Sequence, residues 1–164
     1  GIIGCANAQK SADENRPAAY RAELQGKVKG DVVFTKNTDG KGVKMILNAK
    51  NADPGFHGVH IHETPVCEGD FTSAGGHFNP MAKTHGSPNQ STHHVGDLGN
   101  LKADDQGNMI VEKVYSDLSL DQEADNYIGD RALVIHAKAD DYQSQPSGAS
   151  GKRIGCAVLQ NAAE

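Results

Sequence analysis

The chain has no tryptophan, and aromatic residues make up only 5% of it. It has no uninterrupted apolar run of about 20 residues, the length that a helix needs to cross a bilayer. It also lacks a block of Lys and Arg, and its formal charge of -5 argues against nucleic acid as a partner. The three cysteines, Cys5, Cys67 and Cys156, form no C-x-x-C pair, which removes a thioredoxin-like or zinc-ribbon reading. What is present is a turn-rich chain of 164 residues with 19 glycines, long enough for one domain with a substantial core. Eight histidines are many for that length.

Cys67 and Cys156 could close a loop of about 90 residues, which the chain-entropy model values at about 4 to 5 kcal/mol. The alternative is two buried thiols. A lasting bridge needs an oxidising compartment, so bridging would mean a periplasmic, surface or secreted protein. The opening Gly1-Ile2-Ile3-Gly4-Cys5, followed by a polar stretch to Ala19, resembles the end of a bacterial lipoprotein signal peptide. That resemblance implies that Cys5 is acylated and attaches the protein to a membrane. Residues 1–19 would then be signal remnant and flexible tether, and 20–164 the domain. The plainer alternative is a tail with an incidental thiol.

From Tyr20 onward, short segments rich in β-branched residues alternate with Gly, Asn and Asp. This pattern predicts strands near 20–29, 31–37, 42–50, 55–63, 98–104, 108–116, 131–138 and 153–160. Asp39-Gly40 and Asp104-Asp105-Gln106-Gly107 read as hairpin turns. Stretches 64–97 and 139–152 lack the alternation, and loops of such length in a compact domain are usually functional. The expected fold is all-β, one antiparallel barrel or sandwich.

In His60-Ile61-His62 the two-residue period of a strand points both imidazoles to one face, giving a chelating pair. The following stretch adds His77, His85, His94 and Asp97, and a later strand adds His136. Three histidines with a carboxylate make a closed tetrahedral zinc site. The nitrogen-only remainder suits tetragonal copper. Six histidines leave one place short for two such sites, so one imidazole must serve both metals.

The segments HGVHIH (57–62), GGHFNP (75–80), KTHG (83–86), HVGDLGN (94–100), ALVIHAKADD (132–141) and GKRIGCAVL (151–159) together resemble the copper,zinc superoxide dismutases, of bacterial exported type. The resemblance runs from about Tyr20 to Leu159 and implies an eight-stranded antiparallel Greek-key β-barrel with two long functional loops. It implies copper on His60, His62, His77 and His136, and zinc on His77, His85, His94 and Asp97. Asp140 would link His60 to His85, Cys67 would bond Cys156, and Arg153 would hold the superoxide anion beside copper. His77 would leave copper and take a proton on reduction. His57 and His93 match no ligand.

The implied reaction is dismutation of superoxide to oxygen and hydrogen peroxide. Tyr142 to Gly151 carries no acidic or lysine cluster like the electrostatic loop of cytosolic eukaryotic members, so Lys152 and Lys83 become the candidates for steering the anion. A homodimer is allowed, but the eukaryotic interface does not transfer. The competing reading is a non-catalytic copper/zinc-binding module of the same fold; its relatives typically lack copper ligands or the arginine, and this chain has both. A zinc hydrolase is disfavoured because no open zinc position remains.

Overall fold

A computed structural model of the chain describes residues 19–161. Eight strands of five or more residues and two of two residues are present among them: β1 (Ala19–Glu23), β2 (Gln25–Gly26), β3 (Lys29–Lys36), β4 (Val43–Lys50), β5 (Gly55–His62), β6 (Asp97–Ala103), β7 (Met109–Tyr115), β8 (Ala132–His136), β9 (Arg153–Val158) and β10 (Gln160–Asn161). Among the described residues the one helical element is a single 3-10 turn at Thr72–Ala74.

The strands form two antiparallel five-stranded sheets, ordered β10-β1-β3-β4-β7 and β2-β9-β8-β5-β6. The expected first strand is split at Leu24. β1 pairs with β3, whereas β2 pairs with β9 in the other sheet, so one stretch of chain crosses between the layers. Leu24 donates its N–H back to the Gly30 carbonyl at 2.9 Å, which turns the chain at the crossing. β6 and β7 join as a hairpin-like connection across the opposite side without a shared ladder, so the barrel is flattened and its hydrogen bonding does not close.

The strand period decides what each face carries. On β4, Val43, Met45, Leu47 and Ala49 are buried between the sheets while the residues between them face outward. β5 and β8 differ because both of their faces are covered. Val59, Ile61, Leu133 and Ile135 belong to the main core, while Ala132 and Val134 pack with Phe71, Ala74 and Cys156 in a second cluster outside the barrel. The long loop 64–96 forms that cover and is fastened through Ile61, whose N–H donates to Gly96 and whose carbonyl accepts from Phe78, both at 2.8 Å. A Cβ on Gly96 would come within 2.2 Å of the Ile61 carbonyl, so only glycine allows this approach. The result is a loop-roofed space over the outer face of β5 and β8, and the histidines face into it.

Candidate metal centre

His60 and His62 take alternate positions at the end of β5, and His136 ends β8 opposite Arg153 of β9. His77 arrives from the loop and forms a bridge pair with His62. All four histidines are buried and form one group whose ligating atoms lie within 4.8 Å of one another.

In each of the four, one ring nitrogen is committed and the other is not. Nε2 of His60 donates to Asp140 Oδ2 at 2.8 Å, Nδ1 of His62 to the Gly75 carbonyl at 2.8 Å, and Nδ1 of His136 to the Gly151 carbonyl at 3.3 Å. Nδ1 of His77 lies 2.8 Å from Asp97 Oδ1. The opposite nitrogens, His60 Nδ1 and Nε2 of His62, His77 and His136, are buried without any hydrogen-bond partner. An unmet buried polar atom costs about 1 to 3 kcal/mol, so a fold that gathers four of them in one pocket is built to give their lone pairs to something. A metal with nitrogen ligands meets that demand, and copper is such a metal.

The second grouping centres on Asp97. Its Oδ1 lies 2.8 Å from His77 Nδ1, 2.9 Å from His85 Nδ1 and 3.3 Å from His94 Nδ1. Tetrahedral ligands about 2.0 to 2.1 Å from a zinc ion stand about 3.3 Å apart, so this four-atom cage fits zinc after slight expansion. A wider grouping by proximity takes in His60 with His77, His85 and Asp97 in place of His94. His94 Nδ1 also belongs to the cluster around Asp97 Oδ1, because it stands 3.2 Å from His77 Nδ1. Oδ2 of Asp97 accepts the N–H groups of His94 and Gly86 at 2.7 and 3.2 Å, which orients the carboxylate.

The electrostatics separate the two groups. Burial lowers the pKa of His62, brings His136 to about 3, and brings His77 to about 4 despite the opposing pull of Asp97. These rings stay neutral, the form in which imidazole ligates. His85 is raised to about 9, because Asp140 and Asp97 outweigh the effect of burial. Burial pushes Asp97 up, but the hydrogen bonds from His77, His85 and His94 hold it well below the usual carboxylate range.

Asp140 joins the two groups, with Oδ2 accepting from His60 and Oδ1 from His85 Nε2, each at 2.8 Å. Its own main chain is gripped by Asn100, which accepts the Asp140 N–H at 2.7 Å and donates to the Asp140 carbonyl at 2.9 Å. The sequence pattern gave no signal for this contact. Cys67 and Cys156 are disulfide bonded, with Cα atoms 5.8 Å apart. Lys152 is exposed beside half-buried Arg153, whereas Lys83 lines a different groove with Met81, His93, Ser116 and Asp117. His93 pairs with Asp117 at 3.0 Å, and His57 spans the carbonyls of His136 and Asp53 at 2.7 Å each, so neither enters the groups. Cys5 and the expected tether up to residue 18 lie outside the described residues.

The family model for copper/zinc superoxide dismutase matches residues 28–159. The chain belongs to that family. It is 43% identical over 124 residues to the copper,zinc superoxide dismutase 1 of Aquifex aeolicus, covering 73% of each chain. It is 36% identical over 177 aligned positions to a superoxide dismutase-like protein of Bacillus subtilis, covering 97% of this chain and 90% of the other. A crystal structure of a double mutant of a superoxide dismutase-like protein from Bacillus subtilis aligns with a TM-score of 0.79 at 38% identity, over 85% of this chain and 96% of that one. Copper and zinc are the metals of the family, and the two donor groups fit them.

Proposed function

We propose that the protein dismutes superoxide, with copper held by His60, His62, His77 and His136 and zinc by His77, His85, His94 and Asp97. The observation that carries this reading is His77, which presents Nδ1 to the Asp97 cage and an unpartnered Nε2 to the other histidines. One imidazole can therefore serve both metals. When bound, copper would supply the redox chemistry that converts two superoxide anions and two protons into oxygen and hydrogen peroxide.

The chain supplies position and protons. His77 Nε2 faces the copper pocket and can hold one of the two protons and hand it to the outgoing peroxide. Arg153 directly faces His136 across the β8–β9 ladder, and the bond from Nη1 to the Phe71 carbonyl leaves Nε and Nη2 to hold the anion. The zinc cage keeps no open position, so zinc acts structurally by fixing His77 and His85.

The test is superoxide consumption by metal-loaded protein alongside metal analysis. One copper and one zinc per chain with fast second-order consumption supports the reading. Full metal content without consumption would instead support a non-catalytic copper/zinc-binding module, the class that the name of the Bacillus relative leaves open.

The disulfide suits an oxidising compartment, and the relatives include an extracellular superoxide dismutase of Drosophila melanogaster, 37% identical over 138 residues. This supports a periplasmic or extracellular location, with a lipid on Cys5 as the proposed anchor. Mass spectrometry of the native protein for an acylated N-terminal cysteine tests the anchor.

A further inference from the structure

His85 sits on a stretch of loop that no strand supports. Its ring is fully used, with Nδ1 at the Asp97 cage and Nε2 on Asp140, but no main-chain group of the described residues pairs with the His85 backbone. One side chain does that work. The His85 N–H donates to Oε1 of Gln145 at 2.8 Å, and the His85 carbonyl accepts from Nε2 of the same amide at 3.0 Å. The glutamine thus pairs with His85 as a neighbouring strand would, joining two loops 60 residues apart.

The clamp itself is anchored. Gln145 Nε2 also donates to the Gln143 carbonyl at 3.1 Å, and the Asp141 carboxylate accepts the N–H groups of Gln143 and Ser144 at 2.9 and 2.8 Å. The turn is closed by Gly148, whose N–H donates to the Ser144 carbonyl at 2.7 Å and whose carbonyl accepts from Asp141 at 2.9 Å. Gly148 lies directly on the Asp140–His85 hydrogen bond. A Cβ there would come within 1.9 Å of Asp140 Oδ1 and 2.6 Å of His85 Nε2, at a φ of +73° that already favours glycine. The 141–148 turn therefore touches His85 twice, by its glycine over the ring and by Gln145 on the main chain.

We propose that Gln145 is a positioning residue for zinc: its carboxamide fixes the His85 main chain and so sets how fast zinc leaves, without acting on the copper-side nitrogens. This rests on the assignment of His85 to zinc. Zinc release requires His85 to swing out of the cage. With its backbone clamped and Gly148 against the ring, the ring must break its Asp140 bond by side-chain rotation alone, without help from movement of the loop. Without the clamp, the loop can open locally while the barrel stays intact. Of the four copper donors, His60, His62 and His136 lie on β5 and β8, and none of the four is hydrogen bonded to the Gln145 side chain, whose partners are His85 and Gln143.

The experiment uses Gln145→Met, which keeps the length of the side chain but removes both hydrogen bonds, and Gln145→Glu, which keeps the acceptor for the His85 N–H but sets an oxygen against its carbonyl. Fully loaded proteins are mixed with excess colorimetric chelator, and the release of zinc and of copper is followed separately. Both variants are expected to release zinc at least about tenfold faster than wild type, with copper release within about twofold. Cobalt placed in the zinc site should show altered visible bands in both variants. Wild-type zinc release with an unchanged cobalt spectrum would overturn the role. Equal acceleration of both metals would also overturn it, since a general loosening of the fold releases them together. His85→Ala separates this inference from the assignment beneath it: if that variant retains zinc as wild type does, the zinc site itself is wrongly placed. Gln145 is exposed and outside the core, so its variants should fold, and melting of the metal-free proteins checks that they do.

Discussion

Arg153 donates from Nη1 to the carbonyl of Phe71 at 2.7 Å. Phe71 lies in the segment between Cys67 and His77, and it packs in the outer cluster with Cys156 and Cys67 themselves. The guanidinium proposed to hold superoxide is therefore fixed to a loop that the disulfide pins to the sheet.

Replacing Arg153 by Ala should lower the second-order rate constant for superoxide by about 10- to 100-fold, the range that the loss of a hydrogen bond to a charged group supports. Copper and zinc should both stay bound, because Arg153 ligates neither. Arg153→Lys should fall between, as an ammonium keeps the charge but not the planar fork. Pulse radiolysis on metal-checked proteins measures this, and a fully loaded Arg153→Ala enzyme at wild-type rate would remove the anion-holding role.

The Cys67–Cys156 bond closes a loop of 89 residues in the unfolded chain. The chain-entropy model assigns this about 4 to 5 kcal/mol. Cys67→Ser with Cys156→Ser should lose stability of that order in urea denaturation of the metal-free protein. The rate constant should fall as well, because the Phe71 carbonyl is no longer held in place for Arg153. A double variant with wild-type stability would show that folded-state packing replaces the bridge.

Asp140→Asn should weaken zinc binding by about 10- to 100-fold. The amide cannot accept from both His60 and His85 with its nitrogen side, so one ring loses its orienting partner. Competition with a zinc chelator reads the affinity directly. Unchanged affinity would mean that the cage is rigid without Asp140.

The strand-borne part of this centre was legible because a two-residue period is a property of local sequence: His60 and His62 share a face wherever that strand goes, and burial of the alternate residues Val59 and Ile61 fixes which face. The strand positions themselves followed from alternation to within a few residues. The loop-borne members were legible only through the ligand count and the resemblance, since nothing periodic links His77, His85 and His94. The grips of Asn100 on Asp140 and of Gln145 on His85 had no local signal at all. They join segments 40 and 60 residues apart, and an amide that pairs with a backbone looks the same in sequence as one facing water. The split of the first strand at Leu24 was hidden for the same reason, because it depends on which sheet each half meets.

The metal-free protein should be most stable near pH 6.5, because two sets of histidines pull in opposite directions from there. His77 and His136 have folded values near 4 and 3, below the ordinary 6.5, so acid protonates the unfolded chain first. Their contribution is full above pH 6.5 and is lost as pH falls from 6.5 toward 4 and 3. His85, raised to about 9, works the other way: its contribution is full below pH 6.5 and is lost as pH rises through 9. Denaturation of the metal-free, disulfide-bonded protein from pH 4 to 9.5 should therefore trace a peak. Stability still climbing steadily from pH 6.5 to 9 would rule out a protonated His85 held between Asp97 and Asp140.

The capture of an anion by a chain of net charge -5 should depend on salt in the sense expected for attraction. Two divalent metals add +4 and the loss of a proton from a shared His77 subtracts 1, so the loaded chain stands at -5 + 4 - 1 = -2. The positive charge is concentrated in one pocket whose low-dielectric walls focus its field, so local charge outweighs the total. Lys152 is exposed next to Arg153, while Lys83 lines a groove that includes none of the copper-side histidines, which makes Lys152 the stronger candidate for steering. Raising salt from about 0.01 to 0.15 M shortens the Debye length from about 30 to 8 Å. The wild-type rate constant should fall over that range. Lys152→Ala should be slower than wild type at low salt and converge with it at high salt, because a charge that steers without touching the bound anion acts only through the screened field. Arg153→Ala should stay slower at every salt concentration, since it removes a direct contact. Pulse radiolysis across ionic strength distinguishes the two behaviours, and a Lys152→Ala enzyme with the wild-type salt slope would transfer the steering role to Lys83 or another lysine.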